Sequence, residues 1–331
     1  MNKAVTVFFS SAGRRVGLVE CFRKAARELN FDIEIIAGDL EPRLSAACHV
    51  ADIRYQLPPV AHPGFVPELL ALSVRHRIDL LIPTIDPELI PLSIAASEFA
   101  KIGCRVHVSP PETIAIVRDK LKTMSVLARA GAEVPATVAV EEYDSALFRF
   151  PVFLKPRSGS AGKGVALIED PRAMPSHFDE PMIVQEYLPG AEYTVNAFSD
   201  CGGSLRSAIT HRRLRVRAGE VEKGLTERHL LHAQIARRIT AALPDLKGAF
   251  CFQLKEDLSG IPKIIEINAR FGGGYPLADR AGAPLAKWLL QEAMGETPTF
   301  HDNWRPGVLM LRYDDAIFVE SDDEYVPHDR L

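Results

Sequence analysis

The sequence predicts an α/β unit built on a parallel sheet, followed by an α+β region of antiparallel strands. Three observations support this prediction. In the N-terminal third, short apolar runs alternate with stretches whose apolar residues recur at helical spacing, as in a doubly wound parallel sheet. A glycine-rich stretch then lies between two strand-like segments, which indicates a hairpin. The length of 331 residues favours two or three structural units over one.

The N-terminal unit is expected to end near residue 110. Its first apolar run is followed by the turn sequence SSAG, and the connector SPPET, with Ser109 or Thr113 near a helix start, closes the unit. Strands are expected at 5–9, 33–37, 80–83 and 106–108, and helices at 16–29 and 67–76.

The rest of the chain is divided near residues 184 and 300. Residues 114–131 show one amphipathic helical pattern closed by Gly131, and a β-branched run begins after Pro135. Further strands are expected at 152–155, 165–168, 182–186, 192–198, 204–211, 249–255 and 263–268, with a helix at 227–243. The expected domains are 1–110, 111–184, 185–300 and a C-terminal segment, 301–331, whose structure the pattern does not define.

Composition and charge exclude several classes of protein. An apolar content of 47% and a charged content of 25% are typical of a globular chain, and a net charge of -4 disfavours a nucleic-acid partner. Five scattered cysteines lack the spacing of a zinc site or a disulfide framework, so each is expected to be a small buried apolar residue. The first apolar run is too short for a signal peptide or a membrane span, and a reducing cytoplasm fits both facts. The ten histidines form no H-x-x-x-H set, which disfavours a transition-metal enzyme.

The stretch KPRSGSAGKG, residues 155–164, indicates a phosphate site. Its glycines let backbone N–H groups approach phosphate oxygens without an intervening Cβ, and Lys155 at a strand end supplies a point charge. The spacing is not that of a Walker loop, because no Gly-Lys-Ser or Gly-Lys-Thr opens a helix here. A flexible hairpin turn is the alternative.

Polar side chains alternate along the strand at 263–268. Glu266, Asn268 and Arg270 point the same way, because successive strand residues face opposite sides, and Gln253 lies on the preceding strand. One carboxylate and two amide oxygens suit magnesium, which keeps waters and substrate phosphates as its other ligands. The alternative is an edge strand with a solvated polar face.

The stretch VQEYLPGAEYTV runs from a strand into a Leu-Pro-Gly turn. Glu186 before the turn and Glu192 after it could each accept from a ribose hydroxyl or lie exposed. The backbone of residues 185–188 could present the alternating acceptor and donor that an adenine edge requires.

The order of these motifs resembles that of the ATP-grasp superfamily. In chain order they are Lys120 in VRDK, Lys155 with its glycine loop, Glu186, Glu192, Gln253, Glu266 and Asn268. The closest resemblance is to the large subunit of carbamoyl phosphate synthetase, with its Glu-x-Asn-x-Arg ending. It spans about residues 1–295, most specifically 118–275, and implies a pre-ATP-grasp domain followed by a two-lobed ATP-grasp fold.

The resemblance implies a role for each motif. The ATP ligands would be Lys120, Lys155, Ser158, Gly159, Ser160, Gly162, Gly164, Glu186, Tyr187, Leu188 and Glu192. Two Mg²⁺ ions, or Mn²⁺, would be held by Gln253, Glu266 and Asn268. Arg270 would face the reacting γ-phosphate or acyl phosphate.

The activity implied by the resemblance is that of an ADP-forming ligase. A carboxylate would become an acyl phosphate, and an amine would then displace phosphate. The implied partners are small-molecule carboxylate and amine substrates, with neither nucleic acid nor a membrane, and the family is often dimeric. A single motif set without a glutaminase-like segment argues against carbamoyl phosphate synthesis by this chain alone. The alternatives are an ATP-grasp kinase or carboxylating enzyme, and an ATP-binding regulatory module without catalysis.

Two basic stretches are further candidates for the substrate site. SSAGRR, residues 10–15, would form a wall facing the acceptor, or else a helix cap with solvated arginines. In THRRLRVRAGEVEKG, the side chains of Arg212, Arg213 or Lys223 could bind phosphate or the substrate carboxylate, or belong to a solvated strand face. Together with Arg270, the candidate catalytic residues are Arg212 and Lys223.

Two more stretches follow strand ends. In PTIDPEL, Asp86 and Glu88 could orient a substrate amine, although an N-cap by Asp86 before Pro87 also explains the pattern. FGGGYP, residues 271–276, would let the chain pass close to substrate or form a plain loop.

Overall fold

The computed structural model describes residues 3–159 and 164–320. The N-terminal strands are β1 (Lys3–Ser10), β2 (Phe31–Asp39), β3 (Ile53–Gln56), β4 (Leu80–Pro83) and β5 (Arg105–Val106). They form a parallel sheet in the order β3-β2-β1-β4-β5. The sequence predicts the parallel sheet but not β3. The order reverses between β1 and β4. In open parallel sheets, ligands gather at the carboxyl ends of the strands at such a point.

Helices cover both faces of this sheet. They are α1 (Val16–Leu29), α2 (Ala46–Val50), α3 (Phe65–His76) and α4 (Leu89–Lys101). Phe8 and Phe9 point to opposite faces of β1, so each face has its own apolar cluster. Phe9 packs edge-on against Phe22 of α1 with ring centroids 5.2 Å apart.

Two helices follow where the sequence predicts one, and the prediction of a single helix over 114–131 is wrong. These helices are α5 (Pro111–Val117) and α6 (Lys120–Arg129). Between them Asp119 has an extended backbone and caps α6, because its side chain accepts from the N–H of Lys122 at 3.1 Å. The same carboxylate accepts from Nη2 of Arg157 at 2.8 Å. Apolar periodicity continues through this break, so the pattern alone does not reveal it.

A small antiparallel sheet comes next. Its strands are β6 (Thr137–Ala139), β7 (Val152–Pro156), β8 (Ala166–Ile168) and β9 (Met182–Glu186), in the order β6-β9-β7-β8. The predicted hairpin is confirmed, since β7 and β8 pair with Leu154 opposite Ala166. Val152, Leu154 and Val184 belong to the apolar cluster behind the sheet.

A larger antiparallel sheet completes the fold. Its strands are β10 (Glu192–Ser199), β11 (Leu205–Arg217), β12 (Glu220–Thr226), β13 (Gly248–Glu256), β14 (Pro262–Asn268) and β15 (Leu309–Leu311), in the order β14-β13-β10-β11-β12-β15. The helices are α7 (Leu230–Ala242), α8 (Tyr275–Arg280) and α9 (Leu285–Ala293). Phe22 of α1 and Trp288 of α9 belong to one buried cluster. The N-terminal unit and the larger sheet therefore share a core.

Several sequence predictions are wrong in detail. The strand expected at 204–211 continues to Arg217, the one expected at 106–108 is Arg105–Val106, and the helix expected from 227 begins at Leu230. Part of the C-terminal segment is ordered as β15, which pairs with β12. Cys201 is exposed, whereas the other cysteines are buried as expected. Within residues 3–159 and 164–320, the helices are too short or too polar to cross a bilayer.

Candidate active site

A cleft of about 260 Å³ lies between the small sheet and one face of the larger sheet. Small-molecule sites are concave clefts of this kind. One part of the lining is apolar and includes Phe153, Val165 and Ile265. The charged and amide side chains of the lining are Lys120, Lys155, Gln185, Glu186, Glu192, Arg213, Gln253, Lys255 and Glu266. The cleft can therefore hold a ligand that has both an apolar part and strong charge.

Two lysines lie deep in the cleft. Lys155 is buried, its Nζ lies 3.4 Å from the carbonyl oxygen of Ile265, and burial lowers its pKa to about 8, against an opposing effect of Glu266. Lys120 donates from Nζ to the carbonyl oxygen of Gly159 at 2.8 Å, and burial lowers its pKa as well. Cations held out of water are costly unless an anion neutralises them. The pair therefore favours an anionic ligand.

The described ends of the glycine loop lie beside these lysines. Ser158 and Gly159 line the cleft, and Gly159 has a φ of 112°, which favours glycine. Gly164 has a φ of 67°, and a Cβ there would lie 2.9 Å from Cγ of Pro156. Ser160 and Gly162, also predicted as ATP ligands, lie outside the described residues.

The turn after β9 places backbone rather than a free carboxylate at the cleft. Glu186 accepts from Nζ of Lys263 at 2.7 Å and 2.9 Å and from the N–H of Ala136 at 3.1 Å. Its side chain is thus already engaged. Tyr187 and Leu188 follow it in the lining, so the backbone of this segment is available to a ligand's polar edge.

An oxygen-rich face lies on the adjacent strands β13 and β14. Gln253 is directly opposite Glu266, and Cys251 is directly opposite Asn268. The amide of Asn268 lies 3.3 Å from Glu266 Oε1 and 3.3 Å from Asp86 Oδ1, and it donates to both when its nitrogen faces them. Burial raises the pKa of Glu266. Among the described residues, no group of three His, Cys, Asp or Glu side chains is placed to hold a metal, so a metal here would depend on amide oxygens as well.

Asp86 and Arg270 form a buried ion pair beside this face. Nη2 of Arg270 donates to Oδ2 of Asp86 at 2.8 Å, and the Asp86 side chain is 4% exposed. Burial alone would raise the pKa of Asp86, but the charge and hydrogen bond of Arg270, together with the charges of Arg118 and Arg15, lower it. The interpretation of Asp86 as an N-cap is wrong, because its carboxylate binds Arg270 instead.

Glu88 is not available to a substrate. It is fully buried and accepts from Oγ of Ser11 at 2.7 Å and from the N–H of Thr84 at 3.1 Å. Burial raises its pKa to about 7, against the hydrogen bond from Ser11. The interpretation that Glu88 orients a substrate amine is therefore wrong, since its carboxyl group joins the ends of β1 and β4.

A second pocket adjoins the cleft. It is lined by Arg14, Arg15, Thr84, Ile85, Asp86, Thr194, Arg213, Ala218, Gly219, Glu220, Val221, Cys251, Gln253, Glu266, Asn268, Arg270, Gly272, Gly273 and Gly274. Residues of SSAGRR and FGGGYP thus meet in one place, and the role of SSAGRR as a wall facing the acceptor stays a prediction. Gly219, Arg213, Gln253 and Glu266 line both cavities, so a molecule in one could contact a molecule in the other.

Family models match three consecutive parts of the chain. Residues 7–107 match the model described as PylC-like, N-terminal domain, and residues 117–196 match the RimK-like ATP-grasp domain. Residues 178–315 match the model described as ATP-grasp in the biosynthetic pathway with Ter operon. The chain is an ATP-grasp protein.

Two curated relatives of this ATP-grasp protein are ligases by name. Phosphoribosylamine–glycine ligase of Xylella fastidiosa (strain 9a5c) is 24% identical over 285 residues, which are 73% of this chain and 64% of the relative. D-alanine–D-alanine ligase of Caulobacter vibrioides is 22% identical over 215 residues, 54% of this chain and 65% of the relative. The chain thus spans just under two thirds of the length of each.

Solved ATP-grasp structures share the fold. N5-carboxyaminoimidazole synthetase from Staphylococcus aureus, complexed with ADP, superimposes with a TM-score of 0.69 at 15% identity, covering 94% of this chain and 81% of that one. L-amino acid ligase from Bacillus licheniformis gives 0.67 at 17% identity, covering 92% and 78%. At these identities the likeness shows the fold alone.

Two predicted catalytic residues lie away from the ATP-grasp cleft. Arg212 is exposed, and neither Arg212 nor Lys223 is among the lining residues of the cleft or of the adjoining pocket. Arg213 is there instead, with its side chain 7% exposed and its Nε 2.8 Å from Oε1 of Glu192. A register shift between Arg213 and Arg215 breaks the simple alternation along β11.

Glu220 of the adjoining pocket and its partner Arg312 are absent from the sequence predictions. Glu220 lies at the start of β12, and Arg312 follows the edge strand β15. Their side chains form an ion pair, with Nη1 of Arg312 donating to Glu220 at 2.9 Å. The sequence signal for Glu220 is the dipeptide Ala-Gly before it, a hairpin turn within the basic stretch. Arg312 has no local signal, because the pairing of β15 with β12 brings it there.

Proposed function

We propose that this ATP-grasp protein is an ADP-forming ligase that joins a small-molecule carboxylate to an amine. The observation that carries the proposal is the convergence of Lys120, Lys155 and Glu266 on one cleft, although they are far apart along the chain. The two curated relatives are named as ligases that join an amine to glycine or one D-alanine to another. These names support the ligase class.

ATP would lie along the cleft. Its adenine edge would meet the backbone of residues 186–188, because the Glu186 side chain is engaged by Lys263. Glu192, placed by Arg213, would accept from the ribose hydroxyls. Lys120, Lys155 and the glycine loop, including Ser160 and Gly162, would hold the phosphates.

The face of β13 and β14 fits magnesium. Gln253, Glu266 and Asn268 offer hard oxygen donors that leave positions for phosphate oxygens. Burial raises the pKa of Glu266, and a bound cation would stabilise its carboxylate. When bound, the two predicted Mg²⁺ ions, or Mn²⁺ in their place, would neutralise charge between the ATP phosphates and the incoming carboxylate. The side chains of Glu266 and Asn268 would be held in place by their mutual contact and by Asp86.

The chemistry proceeds in two displacements. A carboxylate oxygen of the substrate attacks the γ-phosphorus, and the bond to the bridging oxygen breaks so that ADP leaves. The amine nitrogen then attacks the acyl carbon, phosphate leaves with the bonding electrons, and the nitrogen loses a proton. Arg270 would stabilise the charge of the transferred phosphoryl group from its position beside Asp86. Action in the cytoplasm and assembly as a homodimer stay predictions.

A phosphate-release screen tests the proposal. Carboxylic acids are paired with amines in the presence of ATP and Mg²⁺, and we expect ADP and phosphate only when a suitable acid is present. Glu266→Ala should abolish turnover while leaving ADP binding measurable. AMP release, or a stable phosphorylated product formed without an amine, would instead indicate another ATP-grasp activity. Nucleotide binding without turnover for any pair would favour a regulatory module.

A further inference from the structure

Three arginines surround one carboxylate in the second pocket. Glu220 lies 3.2 Å from Nη1 of Arg15, 2.9 Å from Nη1 of Arg312 and 3.6 Å from Nη2 of Arg14. We name these three arginines the arginine corner. They come from the turn after β1 and from the segment after β15, while Glu220 comes from the β11–β12 hairpin. The cluster is therefore assembled by the fold from three distant parts of the chain.

The charges of the arginine corner are not balanced. Burial lowers the pKa of Arg15, while Glu220 raises it and Arg270 lowers it further. Burial would raise the pKa of Glu220, yet the three arginines together outweigh it and the pKa is lowered, so Glu220 stays ionised. Elsewhere in the pocket lining, Arg270 is paired with Asp86 and Arg213 with Glu192. In the arginine corner, three guanidinium groups thus share one carboxylate, and Glu266, the other acidic residue of the lining, lies toward the cleft. This leaves positive charge for a further anion.

Glu220 is delivered by a strained hairpin tip. Ala218 has a φ of 49° and Gly219 a φ of 75°, and a left-handed backbone is unfavourable for an alanine. Both residues line the pocket. Below them, a Cβ on Gly273 would lie 2.6 Å from Cδ of Glu220, so the carboxyl group rests directly on the glycine backbone. A short, strained tip that holds the Glu220 carboxylate in the pocket is suited to move out when another anion binds in place of that carboxylate.

We propose that the arginine corner is the subsite for a substrate carboxylate other than the one that is phosphorylated, and that Glu220 occupies this subsite in the free protein. The inference rests on the proposed function for the reaction that would take place beside the subsite, since Glu266, Asn268 and Arg270 line the same pocket. A substrate anchored by one carboxylate at the corner would direct its reacting group toward the cleft. The substrate class is therefore an acid or amine that carries an additional carboxylate.

Calorimetric titration of succinate into the full chain tests the subsite without ATP turnover. Succinate supplies the carboxylate, and succinamide has the same shape without charge. We expect succinate to bind and succinamide not to bind. Arg14→Gln should weaken succinate binding about fivefold, because one exposed cation is removed. Glu220→Gln should tighten it about fivefold, because the internal competitor is gone.

The direction of the Glu220→Gln effect decides the question. If Glu220 only held the arginines in position, its loss would weaken succinate binding, and that result or an unchanged affinity would overturn the proposal. Glu222→Gln is the matched control, since Glu222 is on the same strand, pairs with Arg215 and Arg217, and lies outside the lining of both cavities. It should leave the affinity unchanged.

Hydrogen exchange on the wild-type chain gives a test that needs no variant. Succinate should speed amide exchange at residues 218–221, because displacement of Glu220 frees the hairpin tip. Slower or unchanged exchange there would contradict the proposal. Both measurements are independent of ATP hydrolysis. A failed phosphate-release screen would therefore refute the ligase activity and not the subsite. A failed succinate titration would refute the subsite and not the ligase activity.

Discussion

The ion pair between Asp86 and Arg270 joins the N-terminal sheet to the strand that carries Glu266 and Asn268. Its two residues are 184 positions apart and both are largely buried. Removing one member of a buried pair leaves the other charge without compensation, which costs about 3–5 kcal/mol. Asp86 is therefore expected to act as a positioning residue for Arg270.

Asp86→Asn should lower the free energy of unfolding by about 3 kcal/mol, since Arg270 loses its counter-charge. It should also lower kcat with little change in the KM for ATP, because the phosphate-binding lysines are untouched. Urea unfolding and steady-state kinetics check the two effects. Asp170→Asn is the control, because the Asp170–Arg172 pair lies on the surface, and it should change neither. Wild-type stability in Asp86→Asn would contradict the role.

At the scale of elements, the start of α6 is fastened to the end of β7. Asp119 caps α6 and binds Arg157, and the N–H of Lys120 donates to the carbonyl oxygen of Arg157 at 3.0 Å. These contacts set Lys120 beside the glycine loop. The sequence predicted a continuous helix because the apolar pattern does not register a contact made across the fold.

Asp119→Ala should therefore lower the free energy of unfolding by about 1–2 kcal/mol, through loss of the cap and of the Arg157 contact. Asp119→Asn keeps a capping oxygen and should lose less. Thermal or urea unfolding of both variants provides the comparison. Equal stability of the alanine and asparagine variants would show that the cap contributes nothing.

Two neighbouring arginines of β11 are expected to differ in their effect on the KM for ATP. Arg213 holds Glu192 at the cleft, whereas Arg212 is exposed. Arg213→Gln should raise the KM for ATP about tenfold, the cost of one charge-assisted contact. Arg212→Gln should leave it unchanged. The opposite result would restore the sequence-based choice of Arg212 and refute the orientation of β11.

At the scale of the whole molecule, the junction between the N-terminal unit and the larger sheet contains a buried histidine. Nε2 of His107 accepts from the N–H of Ala249 at 3.0 Å, and its ring packs against Phe271. Burial lowers the pKa of His107 to about 3, and Arg105 lowers it further. Burial also lowers the pKa of His211, in the larger sheet, to about 3. Both rings are neutral in the folded chain.

Stability is therefore expected to fall in acid. In the unfolded chain a histidine binds its proton below a pH of about 6.5, whereas the folded His107 does so only near 3. Stability from the neutral ring is complete above about pH 6.5 and declines by about 1.4 kcal/mol per pH unit below it. His107→Gln should make the decline of the unfolding free energy with falling pH shallower by the contribution of one proton. His62→Gln, at an exposed position, should not change this decline. Unfolding free energies at about pH 7.5 and 5 test this, and identical slopes would contradict it.

Local patterns predicted the parallel sheet, the hairpin at 152–168 and the polar strand with Glu266 and Asn268, because each depends on neighbours in sequence. The Asp86–Arg270 and Glu220–Arg312 pairs depend on pairings across the fold, which no local period encodes. Arg213 rather than Arg212 lines the cleft, a choice that the local pattern of the basic stretch left open. The domain divisions at 110, 184 and 300 stay predictions.

The central claim is that a substrate carboxylate becomes an acyl phosphate in the cleft formed by Lys120, Lys155 and Glu266. The most direct measurement uses the acid that supports turnover, with both carboxylate oxygens replaced by ¹⁸O. If an acyl phosphate forms and an amine displaces phosphate, each released phosphate carries one ¹⁸O atom, detected by its mass. Phosphate released without ¹⁸O would contradict the account, because the carboxylate oxygen would then never have bonded to phosphorus.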